Sequence, residues 1–198
     1  MSLKTTLGLA ISLLSPFCMI AADPISNENA TSYRLLATKS TATMQREMNK
    51  AAAQGCRFSA MMGGKTTFGG REVVAAMARP VATSDDQRFE YKLLATKSTA
   101  TMQRELRAAG EKGYTYAGQS VAEMLFGGNE VLVILERSVR ETPARYVYKL
   151  LATKRTKTMR NELSKAGSMG FKLQGLTVSE TSFGGRELVS ILVKTESY

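Results

Sequence analysis

The stretch LLATKSTATMQRE, residues 35–47, occurs again letter for letter at 93–105 and returns as LLATKRTKTMRNE at 150–162. The landmarks around this stretch repeat too, at offsets of 58 and then 57 residues. Self-similarity at a fixed period is the signature of a tandem repeat. The landmarks are a tyrosine and a later Phe-Gly-Gly motif in each copy: Tyr33, Tyr91 and Tyr148, then 68–70, 126–128 and 183–185. The chain therefore carries three modules, at 33–79, 91–137 and 148–194.

Within a module, the pattern predicts a strand, a helix and two further strands. In the third copy, residues 148–152 form a short apolar strand, and Met159, Leu163 and Ala166 recur at helical spacing over about 159–168. Gly170 follows at the position where a left-handed residue ends a helix. Residues 171–174 then alternate apolar and polar, as a strand with one wet face does.

The last strand of each module is apolar almost throughout, as in Val131–Leu135. A strand that is covered on both faces loses its alternation, which places this strand in the middle of a sheet of order 1-3-2 with the helix on one face. The predicted fold class is α+β, built from three β-α-β-β modules. A module of about 47 residues buries little core, so we expect the three to pack together. A pseudo-threefold arrangement is one way for them to do so.

The N-terminus has the features of a secretory signal peptide over residues 1–22. Lys4 precedes an apolar run from Leu7 to Ile20, and small residues follow. The run is interrupted by Pro16, whereas a transmembrane helix needs about 20 apolar residues. We therefore expect an exported protein, periplasmic or secreted, with no transmembrane span in the mature chain. The remaining segments are a polar leader and two linkers: 23–32, then 80–90 and 138–147.

Cleavage after Ala22 leaves 26 basic and 17 acidic side chains, a net charge of +9, and one cysteine, Cys56. A single thiol forms no internal disulfide, so stability must come from packing. The positive balance favours an anionic polymer, an anionic lipid surface or an envelope protein as the partner. Nucleic acid is a poor fit, because exported proteins seldom meet it and no basic platform with aromatic residues stands out.

The third copy combines Tyr148-Lys-Leu-Leu, an amphipathic helix ending at Gly170, the strand Phe-Lys-Leu and the run Gly-Gly-Arg-Glu-Leu-Val-Ser-Ile-Leu-Val-Lys. This combination resembles the domain of unknown function family 4177, whose members have a Tyr-Lys-Val-Val-like strand, a helix, a Gly-Trp-Glu-Leu-Val strand and a final apolar strand. The resemblance implies the β-α-β-β fold and implies no activity. This chain departs from the family at its tryptophan, which is replaced by Cys56, Tyr114 and Phe171.

The sequence shows no combination of residues that is typical of an active site. The chain contains no histidine, and histidine is the usual general base. Cys56 stands where the other copies have Tyr114 and Phe171, which indicates a small core residue. The Phe-Gly-Gly motifs precede strands, so they fit tight turns or bulges. A phosphate-binding loop is instead followed by a helix. We expect no enzymatic activity, no cofactor and no metal site.

The loop after the first strand of each module is the candidate ligand-binding site. It places a lysine and hydroxyl residues at the start of the predicted helix, where backbone N–H groups and the helix dipole favour anions. Copies 1 and 2 are identical through this loop and then diverge, with MNKAAAQ at 48–54 against LRAAGEK at 106–112. A constraint on the loop would produce this contrast, and so would partial gene conversion. The candidate residues are Lys39, Thr41, Lys97, Thr99, Lys154 and Thr156.

Two functions remain open at this point. In the first, the chain is an exported, non-enzymatic binding module that engages an anionic ligand or a cell-envelope partner through the repeated Lys/Thr loops. In the second, it is a structural or protein–protein interaction scaffold that uses sheet edges and apolar patches. In the second case the charge serves only solubility. For the candidate loop residues themselves, the alternative to ligand binding is that they cap helices and lie in water.

Overall fold

The computed structural model describes residues 30–67, 70–80, 88–123, 129–142, 144–180 and 186–196. The predicted signal peptide and the leader up to residue 29 lie outside these ranges. No helix within them is long and apolar enough to cross a membrane. The elements, in chain order, are β1 (Thr31–Thr38), α1 (Thr41–Ala52), β2 (Arg57–Thr66), β3 (Gly70–Pro80), β4 (Phe89–Thr96), α2 (Thr99–Gly110), β5 (Thr115–Glu123), β6 (Asn129–Ser138), β7 (Tyr146–Thr153), α3 (Thr156–Ser168), β8 (Lys172–Glu180) and β9 (Arg186–Thr195).

Each module forms a three-stranded antiparallel sheet with its last strand in the middle, in the orders β1-β3-β2, β4-β6-β5 and β7-β9-β8. The predicted order 1-3-2 and the α+β class with three tandem modules are confirmed. The physical reason is visible in β6, where the five residues Val131–Leu135 are all buried. Alternate residues of this strand belong to two different cores, one containing α2 and the other containing α1.

The helices begin earlier than predicted. In the third module, α3 starts at Thr156 rather than near Met159, because the polar residues before Met159 form a first turn whose side chains lie in water. Thr41 and Thr99 are likewise the first residues of α1 and α2. The threonines of the candidate site therefore belong to the helices, and only the lysines belong to the loops.

The predicted glycine at the end of each helix is confirmed. Gly55, Gly113 and Gly170 have φ of 82°, 80° and 83°, which is the left-handed conformation that glycine adopts without steric cost. Gly70, the last glycine of the first Phe-Gly-Gly motif, has φ of 76°, as a tight turn requires. The rest of that motif, 68–69, and the motifs at 126–128 and 183–185 lie outside the described residues.

The modules stack in layers, with each of the first two helices held between two sheets. One core joins Met44 and Met48 of α1 to Val73 and Met77 of its own sheet and also to the second sheet, through Tyr91, Leu93, Leu132 and Ile134. A second core joins α2 to β6 and to the third sheet in the same way, through Tyr148 and Ile191. The layer order is therefore sheet, helix, sheet, helix, sheet, helix.

The stack is an open row and not a closed pseudo-threefold ring. Tyr91 is 2% exposed and Leu93 is 9% exposed, because α1 covers that face of the second sheet. Their counterparts in the first sheet, Tyr33 and Leu35, are 69% and 72% exposed. Within the described ranges, α3 and the first sheet do not pack against each other as α1 packs against β4 and α2 against β7. Among the described residues, the two repeated joints therefore leave one uncovered face at each end of the stack.

Candidate functional site: the loop row and the module joints

The three candidate loops share one shape but not one cap. The side chain of Ser40 accepts a hydrogen bond from the backbone N–H of Thr43 at 3.4 Å, and Ser98 accepts from Thr101 at 3.3 Å. Arg155 occupies this N-cap position in the third module and gives no side-chain cap. The serine hydroxyls are thus helix caps, whereas the first turn of α3 receives no hydrogen bond from the side chain of its N-cap residue.

The strand ends hold the loops in place. The hydroxyl of Thr38 accepts from the backbone N–H of Ser40 at 2.9 Å, and Thr96 accepts from Ser98 at 3.0 Å. In the third module the hydroxyl of Thr153 donates to the carbonyl oxygen of Arg155 at 3.1 Å. Each loop is therefore a two-residue turn tied to the last residue of its strand.

The three helices run in the same direction, which brings their N-termini to one edge of the stack. Gln45 bonds Leu93 and Asn49 bonds Tyr91, so α1 runs antiparallel to β4. Helix α2 follows β4 through a two-residue turn and packs on the same sheet, so it is also antiparallel to β4. Gln103 bonds Leu150, and Gly110 at the end of α2 lies against Tyr146. Helix α2 is therefore antiparallel to β7, and α3, which follows β7, is antiparallel to it as well.

The register also places neighbouring loops side by side. Thr41 lies four helical residues before Gln45, and Ala95 lies two strand residues after Leu93. Both steps cover about 6–7 Å at 1.5 Å and 3.3 Å per residue. Because the two elements are antiparallel, the start of α1 lies level with the end of β4, beside the second loop. We call residues 39–41, 97–99 and 154–156 the loop row.

The loop row is positively charged. None of the three helices has an acidic residue in its first turn, so no carboxylate of the first turn offsets the positive end of the helix dipole. The Lys39 and Lys154 side chains are exposed and Lys97 is half-buried. Thr156, Lys157 and Arg160 line a shallow depression on the first turns of α3. The structure therefore brings all six predicted residues to one edge of the stack.

The joints between modules are the feature that sequence reasoning missed. Strand β4 is the edge of its sheet, and side-chain amides of α1 satisfy the edge. Gln45 Oε1 accepts from the N–H of Leu93 at 2.9 Å. Asn49 both accepts from the N–H of Tyr91 at 2.8 Å and donates to its carbonyl oxygen at 3.0 Å. The amides thus replace a missing neighbouring strand, because an edge strand otherwise exposes unpaired backbone groups.

The second joint uses the equivalent glutamine. Gln103 Oε1 accepts from the N–H of Leu150 at 2.8 Å, and its Nε2 donates to the carbonyl oxygen of Tyr148 at 3.0 Å. At the corresponding position of α3 the residue is Arg160, and Ser164 stands where α1 has Asn49. The last helix therefore lacks the amides that cap the edge strand of a following sheet.

A tyrosine from each following module fills the centre of the joint. The hydroxyl of Tyr91 accepts from the backbone N–H of Phe58 at 2.7 Å and donates to Glu136 at 3.3 Å, and Arg57 reaches the same carboxylate at 2.6 Å. The hydroxyl of Tyr148 donates to the carbonyl oxygen of Tyr114 at 3.0 Å. Burial raises the pKa of both Tyr91 and Tyr148 above the ordinary value, because the phenolate would be desolvated there.

Glycines let the sheets approach each other beside the helices. A Cβ on Gly118 would lie 2.9 Å from the ring of Phe58, and one on Gly175 would lie 2.4 Å from the hydroxyl oxygen of Tyr116. A bulge in each second strand, between Phe58 and Ala60 in the first module, makes this possible. The extra residue reverses which way the strand's side chains point. One strand therefore presents its large residue to the next module and its small residue to the preceding one.

The described residues contain no group of three or more His, Cys, Asp or Glu side chains that could hold a metal ion. Cys56 is half-buried against the first core, where it packs as a small apolar residue. Compared with known families, with curated proteins and with solved structures, the chain gives no match. The resemblance to the domain of unknown function family 4177 stays a prediction.

Proposed function

We propose that the chain is an exported, non-enzymatic binding protein that engages an anionic polymer, or the anionic surface of a cell-envelope partner, through the loop row. The observation that carries the proposal is the common direction of α1, α2 and α3. It places three lysine-bearing helix N-termini along one edge, with no acidic residue in any first turn. A polyanion lying along that edge meets all three loops at once. The predicted signal peptide would take the chain across the membrane, to the side where envelope partners are found.

The strength of such binding comes from repetition. A basic side chain near an anionic surface contributes about 1 kcal/mol, so three lysines together contribute about 3 kcal/mol. Since about 1.4 kcal/mol corresponds to a tenfold change in Kd, removing them weakens binding by about 100-fold. A single loop alone gives little affinity, and the row supplies the avidity.

The experiment measures binding of residues 23–198 to vesicles rich in phosphatidylglycerol and to an acidic polysaccharide as salt is raised. The test variant changes Lys39, Lys97 and Lys154 to alanine together. The matched control changes Lys50, Lys112 and Lys165 to alanine. These exposed lysines lie at or just after the C-terminal ends of the same three helices, so the control loses the same charge at the opposite edge.

The proposal expects that binding falls steeply with salt, that the loop variant loses about 100-fold in affinity, and that the control stays close to wild type. Equal losses in the two triple variants would mean that only net charge matters, and would refute a binding role for the loop row. The absence of any salt-dependent binding would refute the proposal altogether.

A second function, that of a protein–protein interaction scaffold, is favoured by the ends of the stack. Large apolar side chains are exposed on the first sheet and on the outer side of the third module, among them Leu35, Met62, Leu176 and Val178. Binding that ignores salt and the loop lysines, but fails when these end residues change, would support this function over the first.

A further inference from the structure

The two ends of the stack of modules carry the two complementary surfaces that meet at each internal joint. The head face is the face of the first sheet that is turned away from α1, and it includes Tyr33, Leu35, Ala60, Met62 and Gly64. The tail face is the outer side of the third module, formed by Leu163, Gly167, Leu173, Leu176 and Val178. Leu35 is 72% exposed on the head face, and Val178 is 53% exposed on the tail face. The residues named on each face are apolar, and in the described structure neither face is covered.

Every position of these faces has counterparts that are buried or half-buried inside the chain. Leu35 corresponds to Leu93, which is 9% exposed beneath α1. Leu163 corresponds to Met48 and Leu106, both fully buried against the following sheet. The tail face is thus the surface that α1 and α2 each present to the next module, and the head face is the surface that receives it.

The side-chain sizes at the two ends are complementary. Inside the chain Gly63 lies against Ala122, and the residues at those positions on the tail and head faces are Val178 and Gly64. Likewise, Phe58 lies over Gly118 inside the chain, and the end counterparts are Leu173 and Ala60. In both pairs the larger residue lies on the tail face and the smaller residue lies on the head face, so the sizes of the two faces are complementary.

The tyrosine of the joint has a place as well. A Cβ on Gly110 would lie 3.0 Å from the ring of Tyr148, whereas a Cβ on Gly167 would meet nothing within 4 Å. Gly167 leaves the same space at the tail face, and Tyr33 is the exposed tyrosine of the head face. The space at Gly167 matches the ring that an additional module would bring.

We infer that the partner of each end is a second copy of this chain, bound head to tail through the joint that already connects its modules. The end joint is weaker than the internal joints, because Arg160 cannot accept from the N–H of Leu35 as Gln45 accepts from Leu93. Association therefore depends on concentration. The two faces differ, so the contact is heterologous and leaves a free face at each end of every oligomer. This inference does not depend on the loop row.

The experiment is sedimentation velocity on residues 23–198 from the low to the high micromolar range. It compares wild type with Leu35→Glu on the head face, Val178→Glu on the tail face, and an equimolar mixture of the two variants. Because both residues are largely exposed in the single chain, each variant should keep the circular dichroism spectrum and denaturant midpoint of wild type. That check separates loss of association from loss of folding.

We expect the mass of wild type to rise past that of a dimer, and each variant alone to remain a monomer. The mixture should form a one-to-one dimer and nothing larger. In that dimer the intact tail of the Leu35→Glu copy meets the intact head of the Val178→Glu copy, and both remaining faces are damaged.

Two results would overturn the inference. One is a wild-type chain that stays monomeric over the whole range. The other is a symmetric dimer, recognised because one of the two variants still dimerises alone and mixing adds nothing.

Discussion

Replacing Gly110 with alanine tests whether the joint between the second and third modules is as close as the structure shows. A Cβ at this position would lie 2.1 Å from the carbonyl oxygen of Tyr146, which is backbone and cannot rotate away. The sheet of the third module must therefore shift. Forcing an extra methyl group into a packed site costs about 1–3 kcal/mol.

The matched control is Gly167→Ala, at the equivalent position of α3, where a Cβ meets nothing within 4 Å. Both substitutions remove a helical glycine, which by itself stabilises by roughly 0.5–1 kcal/mol. Since this gain is common to both variants, the difference between them isolates the joint. Gly110→Ala should be less stable than Gly167→Ala by about 1–3 kcal/mol, and Gly167→Ala should equal or exceed wild type.

The assay is urea unfolding of residues 23–198, followed by far-ultraviolet circular dichroism, with the free energy of unfolding extrapolated for each variant. Ala52 occupies the same position in α1, so alanine is itself compatible with the helix there. If Gly110→Ala proves as stable as Gly167→Ala, then α2 does not approach β7 as closely as described, and the layered stack is wrong.

Three further predictions concern the edge amide, Tyr116 and the third loop. Gln103→Leu leaves the two backbone groups of β7 that it bonds without partners, so it should lower the free energy of unfolding by about 1–3 kcal/mol. The same change at the equivalent exposed Arg160 should stay within about 0.5 kcal/mol of wild type, and equal effects would contradict the edge-capping role. Burial raises the pKa of Tyr116 to about 12 from 10.0, so its contribution to stability is complete below pH 10 and is lost as the pH rises from there towards 12. The denaturant midpoint should fall over that interval, and a constant midpoint would show that the ring ionises freely. Arg155→Ser supplies the missing N-cap of α3 and should stabilise the chain by about 0.5–1 kcal/mol, as thermal unfolding would show, whereas a loss of stability would indicate that Arg155 makes a contact of its own.

The fold of one module could be predicted because its signals are local. The unbroken apolar run of β6 identifies a central strand, and Gly113 marks the end of α2 through the positive φ that its position requires. The start of α3 was predicted too late, because Thr156 and its neighbours are polar and give no apolar period. These residues lie in water, where the sequence pattern does not distinguish a first turn from a loop.

The stacking of the modules could not be predicted from the same signals. The segment Leu-Leu-Ala-Thr-Lys is identical in all three copies, yet Leu35 is exposed and Leu93 is buried. What differs is the presence of a preceding helix, which lies elsewhere in the chain. Gln45 and Gln103 resemble ordinary surface residues of an amphipathic helix, and only the structure shows that they bond the edge of another sheet. The one available signal was that the same glutamine recurs in both helices that have a successor and is absent from the one that has none.

The layered joint has a consequence for the order in which the chain can mature. Part of the cover of α1 comes from β4, so that part of its outer side stays bare at least until synthesis or translocation has advanced through Thr96, roughly 40 residues after the helix ends. At about 5–20 residues per second, that delay lasts a few seconds for each module. During each delay the newest helix presents an apolar stripe to its surroundings. A chain built in this way buries its apolar surface step by step from its N-terminus, and a chaperone that protects it has to follow the most recently made helix.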